Sequence, residues 1–408
     1  MVVVLMASCI RGEAMDSEDD ANPVTEVSVV TEPLVVTGSV TRADDAVNDD
    51  IEDMTAENKF IDGKSLLYIS QAGTIINPNF TGDKSSDNDL YNNNLYRYVY
   101  SENSSADWNS GYNFTVFTTE EGSNPVKWRD IRDRGSVGNA FKLYALHFPV
   151  ENTVRFRVEK NQQELEDFRK SDIMGAYHAT SSLYSRLRFR LYHLMVYLRV
   201  TLYVPVYLEP ANDNSQSTGF DAGAVKNAFL RNVITDFDID WRASRSSDND
   251  APFVFTDNKM HEVADYVFMY AHESNKEEDA PIRTIRINVG DFYGQGSGED
   301  EVYVYNFSVL IPPQKIENND AFMQFQLLPA GSDDSEFDKD KTQLKNYVFR
   351  TNQLMSGSND FQLTQGSLSH LKLYLPRKGN DVILVGADII DWTDASSDMT
   401  VTKQEKEE

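Results

Sequence analysis

The sequence has almost no cysteine and few basic residues. Cys9 is the single thiol in 408 residues, which excludes an internal disulfide and a zinc site built from cysteines. Lys and Arg number 38 against 65 Asp and Glu, and the net charge is −27. A nucleic-acid backbone would be repelled by this charge, so DNA and RNA are not expected partners.

The usual motifs of enzymes and metal sites are missing as well. No G-x-S-x-G, P-loop or G-x-G-x-x-G phosphate motif occurs, and the acidic stretches DSEDD and DDSEFDKD lack the pattern of a calcium loop. The six histidines show no H-x-x-x-H spacing with an acid between; they are His147, His178, His193, His261, His272 and His370. We therefore expect no enzymatic activity, no cofactor and no metal. A secreted hydrolase with two facing carboxylates is a distant alternative.

The N-terminus carries a short apolar run, and no stretch elsewhere in the sequence is apolar over the length of a transmembrane helix. Val2 to Met6 is followed by Ala7-Ser8 and then Cys9, whereas a transmembrane helix needs roughly 18 or more apolar residues. Small residues directly before a cysteine resemble the lipobox of bacterial lipoproteins, in which the thiol is lipidated and becomes the new N-terminus. We predict lipidation at Cys9, with residues 1–20 as a signal remnant and acidic tether. The alternative is a disordered tail with a chance cysteine.

Alternation of apolar and polar residues dominates the rest of the chain. It predicts roughly fifteen short strands with polar turns between them, and therefore an all-β protein made of antiparallel sandwiches. Two short helices are also expected. One is NQQELEDFRK at residues 161–170, with Asn161 as the cap and Glu164 completing a capping-box pattern. The other is AGAVKNAFLRNV at residues 222–233.

One stretch changes its apolar face partway along. In SRLRFRLYHLMVYLRVTLYVPVYLEP the apolar residues lie on odd positions from Leu187 to Leu191 and on even positions from Leu194 to Leu208. A one-residue slip moves a whole row to the other face of a strand, so the chain must bulge, turn or cross between sheets near Tyr192 and His193. Pro205 predicts a sheet edge or a strand end. We interpret His193 as a packed histidine bonded to a loop carbonyl.

These features divide the chain into two main parts. The polar run EPANDNSQSTG is typical of a linker, and it separates an N-terminal sandwich at residues 21–210 from a C-terminal sandwich at residues 211–395. Residues 396–408 form a charged tail.

Several motifs, read together and in order, resemble a known family. They are LYALHFP, then DIMGAY with Ser171-Asp172-Ile173, then LRFRLYHLMVYLRVTL with Phe189 and His193. Further along come FSVLIPPQ with Pro312-Pro313-Gln314, and the closing stretch LTQGSLSHLKLYLPRKGNDVILVGADIIDW with Trp392. Over about residues 110–395 the sequence resembles the fimbrillin-like, or Mfa-like, proteins of Bacteroides-type bacteria.

This resemblance implies a type V pilus subunit or anchor lipoprotein. It implies two transthyretin-like β-sandwich domains in tandem, a lipid on Cys9 in the outer membrane, and a cell-surface location in a fimbrium serving adhesion. It also implies that a protease cuts after a basic residue and removes an N-terminal strand. The open groove then accepts a strand from a neighbouring subunit. The expected partners are other pilus subunits and a host or bacterial surface receptor.

The sequence offers candidates for each part of this process. The runs TEVSVV and PLVVTGSV are strand-like, and Arg42 follows them in an acidic segment that a protease could reach. The tail SDMTVTKQEKEE alternates only at Met399 and Val401, so it is a poor donor strand and favours a minor, tip or anchor subunit.

The main alternative function is a surface glycan-binding lipoprotein of a nutrient-uptake system. It would share the lipobox and the sandwiches, and it would show exposed aromatic residues. Four tryptophans are the first candidates for stacking on sugars, although packing in the core is their ordinary role. They are Trp108, Trp128, Trp241 and Trp392.

Overall fold

The computed structural model describes residues 28–31, 62–71, 95–100, 106–108, 112–119, 141–148, 156–180, 186–189, 191–207, 219–237, 260–275, 282–288, 299–318, 320–329, 344–354, 360–377 and 379–391. Within these residues the chain forms twenty-two strands, one α-helix and two 3₁₀ turns. The predicted all-β fold with short helices is confirmed. No helix in this part of the chain has the length and apolar character needed to cross a bilayer.

The strands are numbered in chain order and the helix is α1. They are β1 (Ser28–Thr31), β2 (Leu66–Gln71), β3 (Leu95–Tyr100), β4 (Ala106–Trp108), β5 (Tyr112–Thr119), β6 (Phe141–Phe148), β7 (Phe156–Arg157), α1 (Leu165–Lys170), β8 (Met174–Thr180), β9 (Arg186–Phe189), β10 (Tyr192–His193), β11 (Val196–Pro205), β12 (Val225–Phe237), β13 (Met260–Phe268), β14 (Tyr270–Ala271), β15 (Thr284–Asn288), β16 (Glu299–Ile311), β17 (Gln314–Ile316), β18 (Ala321–Leu327), β19 (Lys345–Arg350), β20 (Phe361–Leu363), β21 (Ser367–Tyr374) and β22 (Ile383–Asp391). The 3₁₀ turns are Glu273–Asn275 and Thr351–Gln353.

Three large sheets and one two-stranded ribbon organise these strands. A nine-stranded sheet has the order β10-β8-β6-β2-β3-β5-β1-β9, with β4 paired to β5. A six-stranded sheet has the order β14-β16-β11-β21-β22, with β15 on β16, and a five-stranded sheet has the order β13-β12-β18-β19, with β7 on β12. The pairs are antiparallel except for β1 with β9 and β11 with β21, which are parallel.

The six- and five-stranded sheets share one hydrophobic core and so form a sandwich. The even-numbered residues of β11 supply a continuous row to this core, and all five are fully buried: Val196, Leu198, Val200, Leu202 and Val204. Leu230 of β12 and Phe325 of β18 reach the same core from the other sheet. The apolar row recognised in the sequence is therefore the central row of the sandwich.

The slip near Tyr192 is a crossing between sheets. β9 and β10 belong to the nine-stranded sheet, whereas β11 pairs with β16 and β21 in the six-stranded sheet. β11 also ends at Pro205. Both outcomes agree with the sequence pattern. A domain boundary near residue 210 stays a prediction. β11 ends before that residue, but it pairs with β16 and β21, which come after it.

The helix expected at residues 222–233 was wrong, because this segment is the long strand β12. The backbone of Asn232 has a φ of 55°, in the left-handed region that asparagine tolerates better than most residues. The core row of β12 shifts there from Ala228 and Leu230 to Val233. A three-residue step inside a strand imitates the period of a helix, which explains the error.

The helix expected at residues 161–170 exists but begins later. α1 starts at Leu165, and its N-cap, Glu164, makes no side-chain cap hydrogen bond. Asn161 is not the cap, because residues 160–162 run beside β13: the Phe268 amide donates to the Lys160 carbonyl at 2.8 Å and the Gln162 amide to the Phe268 carbonyl at 3.1 Å. Pairing with a strand edge overrides the local capping signal.

Candidate strand-insertion site

The first of the described strands, β1, lies inside the nine-stranded sheet. β1 pairs antiparallel with β5, with Val30 opposite Val116, and parallel with β9, with Val30 opposite Arg188. Among the described strands, β9 joins the sheet through β1 alone. Loss of β1 would leave an unpaired edge on β5 and would separate β9 from the ladder.

β1 overlaps one of the two runs predicted to be removable. TEVSVV contains Ser28 to Val30, whereas PLVVTGSV lies outside the described residues. Cys9 and Arg42 also lie outside them, and their roles stay predictions. In the chain, Arg42 comes after β1 and before β2, so a cut behind Arg42 would leave no covalent link between β1 and the remaining strands.

The Ser-Asp-Ile triplet and His193 meet where the chain crosses between sheets. His193 Nδ1 lies 2.8 Å from Asp172 Oδ1, and the two residues are 0% and 6% exposed. The Leu194 amide donates to the Ile173 carbonyl at 2.9 Å. His193 is thus a packed histidine, as interpreted from the sequence, but Nδ1 contacts a carboxylate rather than a loop carbonyl.

Ser171 fixes the end of α1 beside this pair. Its hydroxyl accepts a hydrogen bond from the Glu159 amide at 2.9 Å and donates to the Asp167 carbonyl at 3.2 Å. The segment between β7 and α1 and the last turn of the helix are therefore held together. The motif residues Ser171, Asp172 and His193 support the crossing structurally.

A second group of polar residues lies on the odd-numbered face of β11, and no sequence pattern predicted that these residues are buried. Arg199 is 1% exposed. His272 Nε2 lies 2.8 Å from Ser308 Oγ, and His370 Nε2 lies 2.9 Å from Thr201 Oγ1. Phe168 of α1 packs edge-on against Tyr197 of β11, with ring centroids 5.6 Å apart. β11 is therefore covered on both faces.

These histidines are held neutral. Burial lowers the pKa of His272 and the pKa of His370 to about 3, and the positive charge of Arg199 adds to the effect. His272 and Ser308 are the residue types of a base and a nucleophile, but they are only 2% and 0% exposed. A substrate cannot reach them, so their role is structural.

The remaining candidates for chemistry are few. In the part of the chain that the structure describes, no three His, Cys, Asp or Glu side chains come together in a group that could hold a metal ion. Trp108 lies in β4, and the other three tryptophans lie outside the described residues. Among the side chains whose burial the structure describes, an exposed aromatic ring belongs to Tyr266 of β13, at 45%, which no sequence motif marked.

No protein-family model and no curated protein matches the chain, but several solved structures are similar to it. A Bacteroides uniformis protein assigned to cell adhesion has a TM-score of 0.41 and 11% identity over 90% of this chain and 99% of its own. A Bacteroides vulgatus fimbrial protein has a TM-score of 0.36 and 8% identity, over 90% of this chain and 100% of its own. The tip fimbrial protein Mfa3 of Porphyromonas gingivalis, truncated at its C-terminus, has a TM-score of 0.35 and 7% identity, with the same coverage, 90% and 100%.

These neighbours are cell-adhesion and fimbrial proteins, the class of protein that the sequence motifs resemble. All three TM-scores lie below 0.5 and all three identities below 12%, so the likeness does not by itself establish what this chain does.

Proposed function

We propose that this chain is a structural and adhesive subunit of a surface fimbrium. It assembles with other pilus subunits by strand exchange and occupies a minor, tip or anchor position. The observation that supports the proposal is the place of β1 between β5 and β9, since removal of a strand held between two others opens a slot that another strand can fill.

The size of β1 suits this exchange. It has four residues, and each backbone hydrogen bond stabilises a fold by only about 1 kcal/mol net. Such a strand is held firmly while covalent attachment keeps it close, and far less firmly after a cut. A longer strand from another subunit, pairing with both β5 and β9, would then displace it.

The proposal places the chain on the outer membrane through a lipid on Cys9, facing the cell exterior. Lipidation is tested by expressing the full chain and a Cys9→Ser variant with labelled palmitate. The unchanged chain should incorporate the label and partition into detergent, and the variant should do neither. Equal labelling of both proteins would show that Cys9 does not carry the lipid.

Strand removal is tested with an Arg-specific protease on three full-length proteins: the unchanged chain, Arg42→Lys, and Arg11→Lys as the matched control. The unchanged chain and the control should lose residues up to Arg42, measured by mass, and then bind a fluorescent peptide of residues 24–33. Arg42→Lys should keep the segment and exclude the peptide.

Polymer formation on gels then distinguishes a stalk subunit from a tip or anchor subunit. A stalk subunit should form ladders after cleavage, whereas a tip or anchor subunit should bind the peptide without polymerising. A cleaved chain that stays folded and never takes up the peptide would contradict strand exchange at this site.

A further inference from the structure

The outer face of the five-stranded sheet carries an exposed aromatic ring on a rigid support. The ring of Tyr266 packs edge-on against Phe229, with centroids 4.8 Å apart and an interplanar angle of 85°. Arg231 lies with Cζ 5.8 Å from the Tyr266 centroid. Tyr266 is 45% exposed while Phe229 is 4% exposed. Phe229 therefore fixes the orientation of a ring that solvent can reach.

Amide side chains continue this face across the neighbouring strands. Asn227 Nδ2 donates to Gln326 Oε1 at 2.9 Å, and Gln326 Nε2 donates to Asn346 Oδ1 at 3.0 Å. Gln324 Nε2 donates to the same Asn346 oxygen at 2.7 Å. Asn346 is exposed and Asn227 and Gln326 are partly exposed, whereas Gln324 is 8% exposed. The ladder therefore presents amide groups, which both donate and accept hydrogen bonds, to solvent.

The register places rings and amides on one continuous surface. Arg231 lies opposite Tyr266, Phe229 opposite Gln324, and Asn227 opposite Gln326. Gln326 in turn lies opposite Asn346 on β19. Four strands at about 4.8 Å spacing give this aromatic–amide face a width of about 14 Å.

We infer that the aromatic–amide face binds an uncharged polysaccharide. A sugar ring has an apolar C–H face that packs on an aromatic ring and a rim of hydroxyls that both donate and accept hydrogen bonds. Tyr266 offers the first contact, and the ladder ending at Asn346 offers the second. The net charge of the chain, −27, favours an uncharged ligand, because it repels anionic polymers and a second copy of this chain.

The test uses the uncut full-length chain, so it does not depend on strand exchange. Native gels are cast with galactomannan, xyloglucan or dextran as neutral probes and with alginate as the anionic probe. The variants are Tyr266→Ala and Asn346→Ala. The matched control is Val263→Ala, on the same strand as Tyr266 and more exposed, at 57%.

At least one neutral polysaccharide should retard the unchanged chain and the control. Tyr266→Ala and Asn346→Ala should each weaken this binding by about tenfold or more, with unchanged far-ultraviolet spectra. The inference is overturned if no neutral probe retards the chain, if alginate alone does so, or if both variants bind like the control. It is also overturned if the chain binds no probe and sediments as a dimer that Tyr266→Ala dissociates.

Discussion

Asp300 is a residue on which three parts of the sandwich converge. Arg377 Nε donates to its two carboxylate oxygens at 3.2 and 3.1 Å, and the Tyr374 hydroxyl donates to Oδ2 at 3.0 Å. Arg377 Nη1 also donates to the Val206 carbonyl at 3.1 Å. Burial, together with the charge of Asp300, raises the pKa of Tyr374 well above its ordinary value. The start of β16 is thereby tied to the segments that follow β11 and β21.

We expect Asp300→Asn to lower the free energy of unfolding by about 2–4 kcal/mol, because it leaves the Arg377 charge without its carboxylate in a largely buried place. The neighbouring Glu299→Gln is the matched control. Its ion pair with Arg286 is 4.0 Å long and both side chains are exposed, so the loss should stay below about 0.5 kcal/mol. Urea unfolding at pH 7 measures both, and equal effects would contradict the interpretation.

His272 and His370 make stability depend on pH. Their pKa values are lowered to about 3 in the folded chain, whereas an unfolded histidine has a pKa of about 6.5. Between these values the unfolded state binds more protons, so stability is complete above about pH 6.5 and is lost as the pH falls towards 3.

Each histidine should contribute about 1 kcal/mol of lost stability per pH unit between roughly pH 4 and 6. The measurement follows the urea midpoint against pH for the unchanged chain and for a His272→Gln, His370→Gln double variant, in which glutamine keeps a hydrogen-bonding side chain but does not titrate. The midpoint of the double variant should fall less steeply as the pH is lowered. Equal slopes for the two proteins would mean that the pKa values of the folded histidines are not lowered.

Side-chain amides take the place of missing strand partners in this fold. Gln162 shows the arrangement: its Nε2 donates to the Leu310 carbonyl at 2.8 Å and its Oε1 accepts from the Leu310 amide at 2.9 Å. One side chain thus satisfies both backbone groups of a strand residue that would otherwise be open to pairing. The same arrangement recurs in Gln314 on Ile234, Asn275 on Asn306, and Gln353 between Val382 and Leu384.

Gln162→Ala should lower the free energy of unfolding by about 3 kcal/mol, because it leaves a buried N–H and a buried C=O of Leu310 without partners. The adjacent Gln163→Ala is the matched control, since Gln163 is exposed, and its effect should stay within about 0.5 kcal/mol. Thermal and urea unfolding check the pair. A Gln162 variant as stable as the control would show that water replaces the amide without cost.

The elements that the sequence predicted are those whose signal is local. The even row of β11 and the slip beside His193 follow from alternation alone, and the structure has a buried row and a crossing between sheets at these positions. That β11 would pair with the later strands β16 and β21, and not with β9, was not predicted. β12 was misread because Asn232 shifts its row within the strand. The burial of Arg199, the amide role of Gln162 and the platform at Tyr266 depend on partners far along the chain, and a single sequence carries no signal of them.

Across the whole molecule, the order of strands comes from non-local pairing. β1 and β9 lie side by side although residues 32–185 separate them, and β11 lies between β16 and β21. Only the excess of acidic residues acts over the whole surface, with a net charge of −27. This charge keeps separate copies apart and therefore opposes the assembly that strand exchange requires.

Salt should consequently control the assembly rate. After cleavage behind Arg42 the chain stays strongly acidic, so two copies repel each other over a screening length of about 30 Å at 0.01 M salt and about 8 Å at 0.15 M. Where cleaved copies associate at all, as those of a stalk-like minor subunit would and those of a tip or anchor subunit would not, we expect the association, followed by light scattering, to quicken by about tenfold or more over this range. The peptide of residues 24–33 carries only Glu26 and Glu32 as charges, so its uptake by the cleaved chain should quicken much less. Association that slows with added salt would mean that complementary charged surfaces, rather than an open strand slot, draw the copies together.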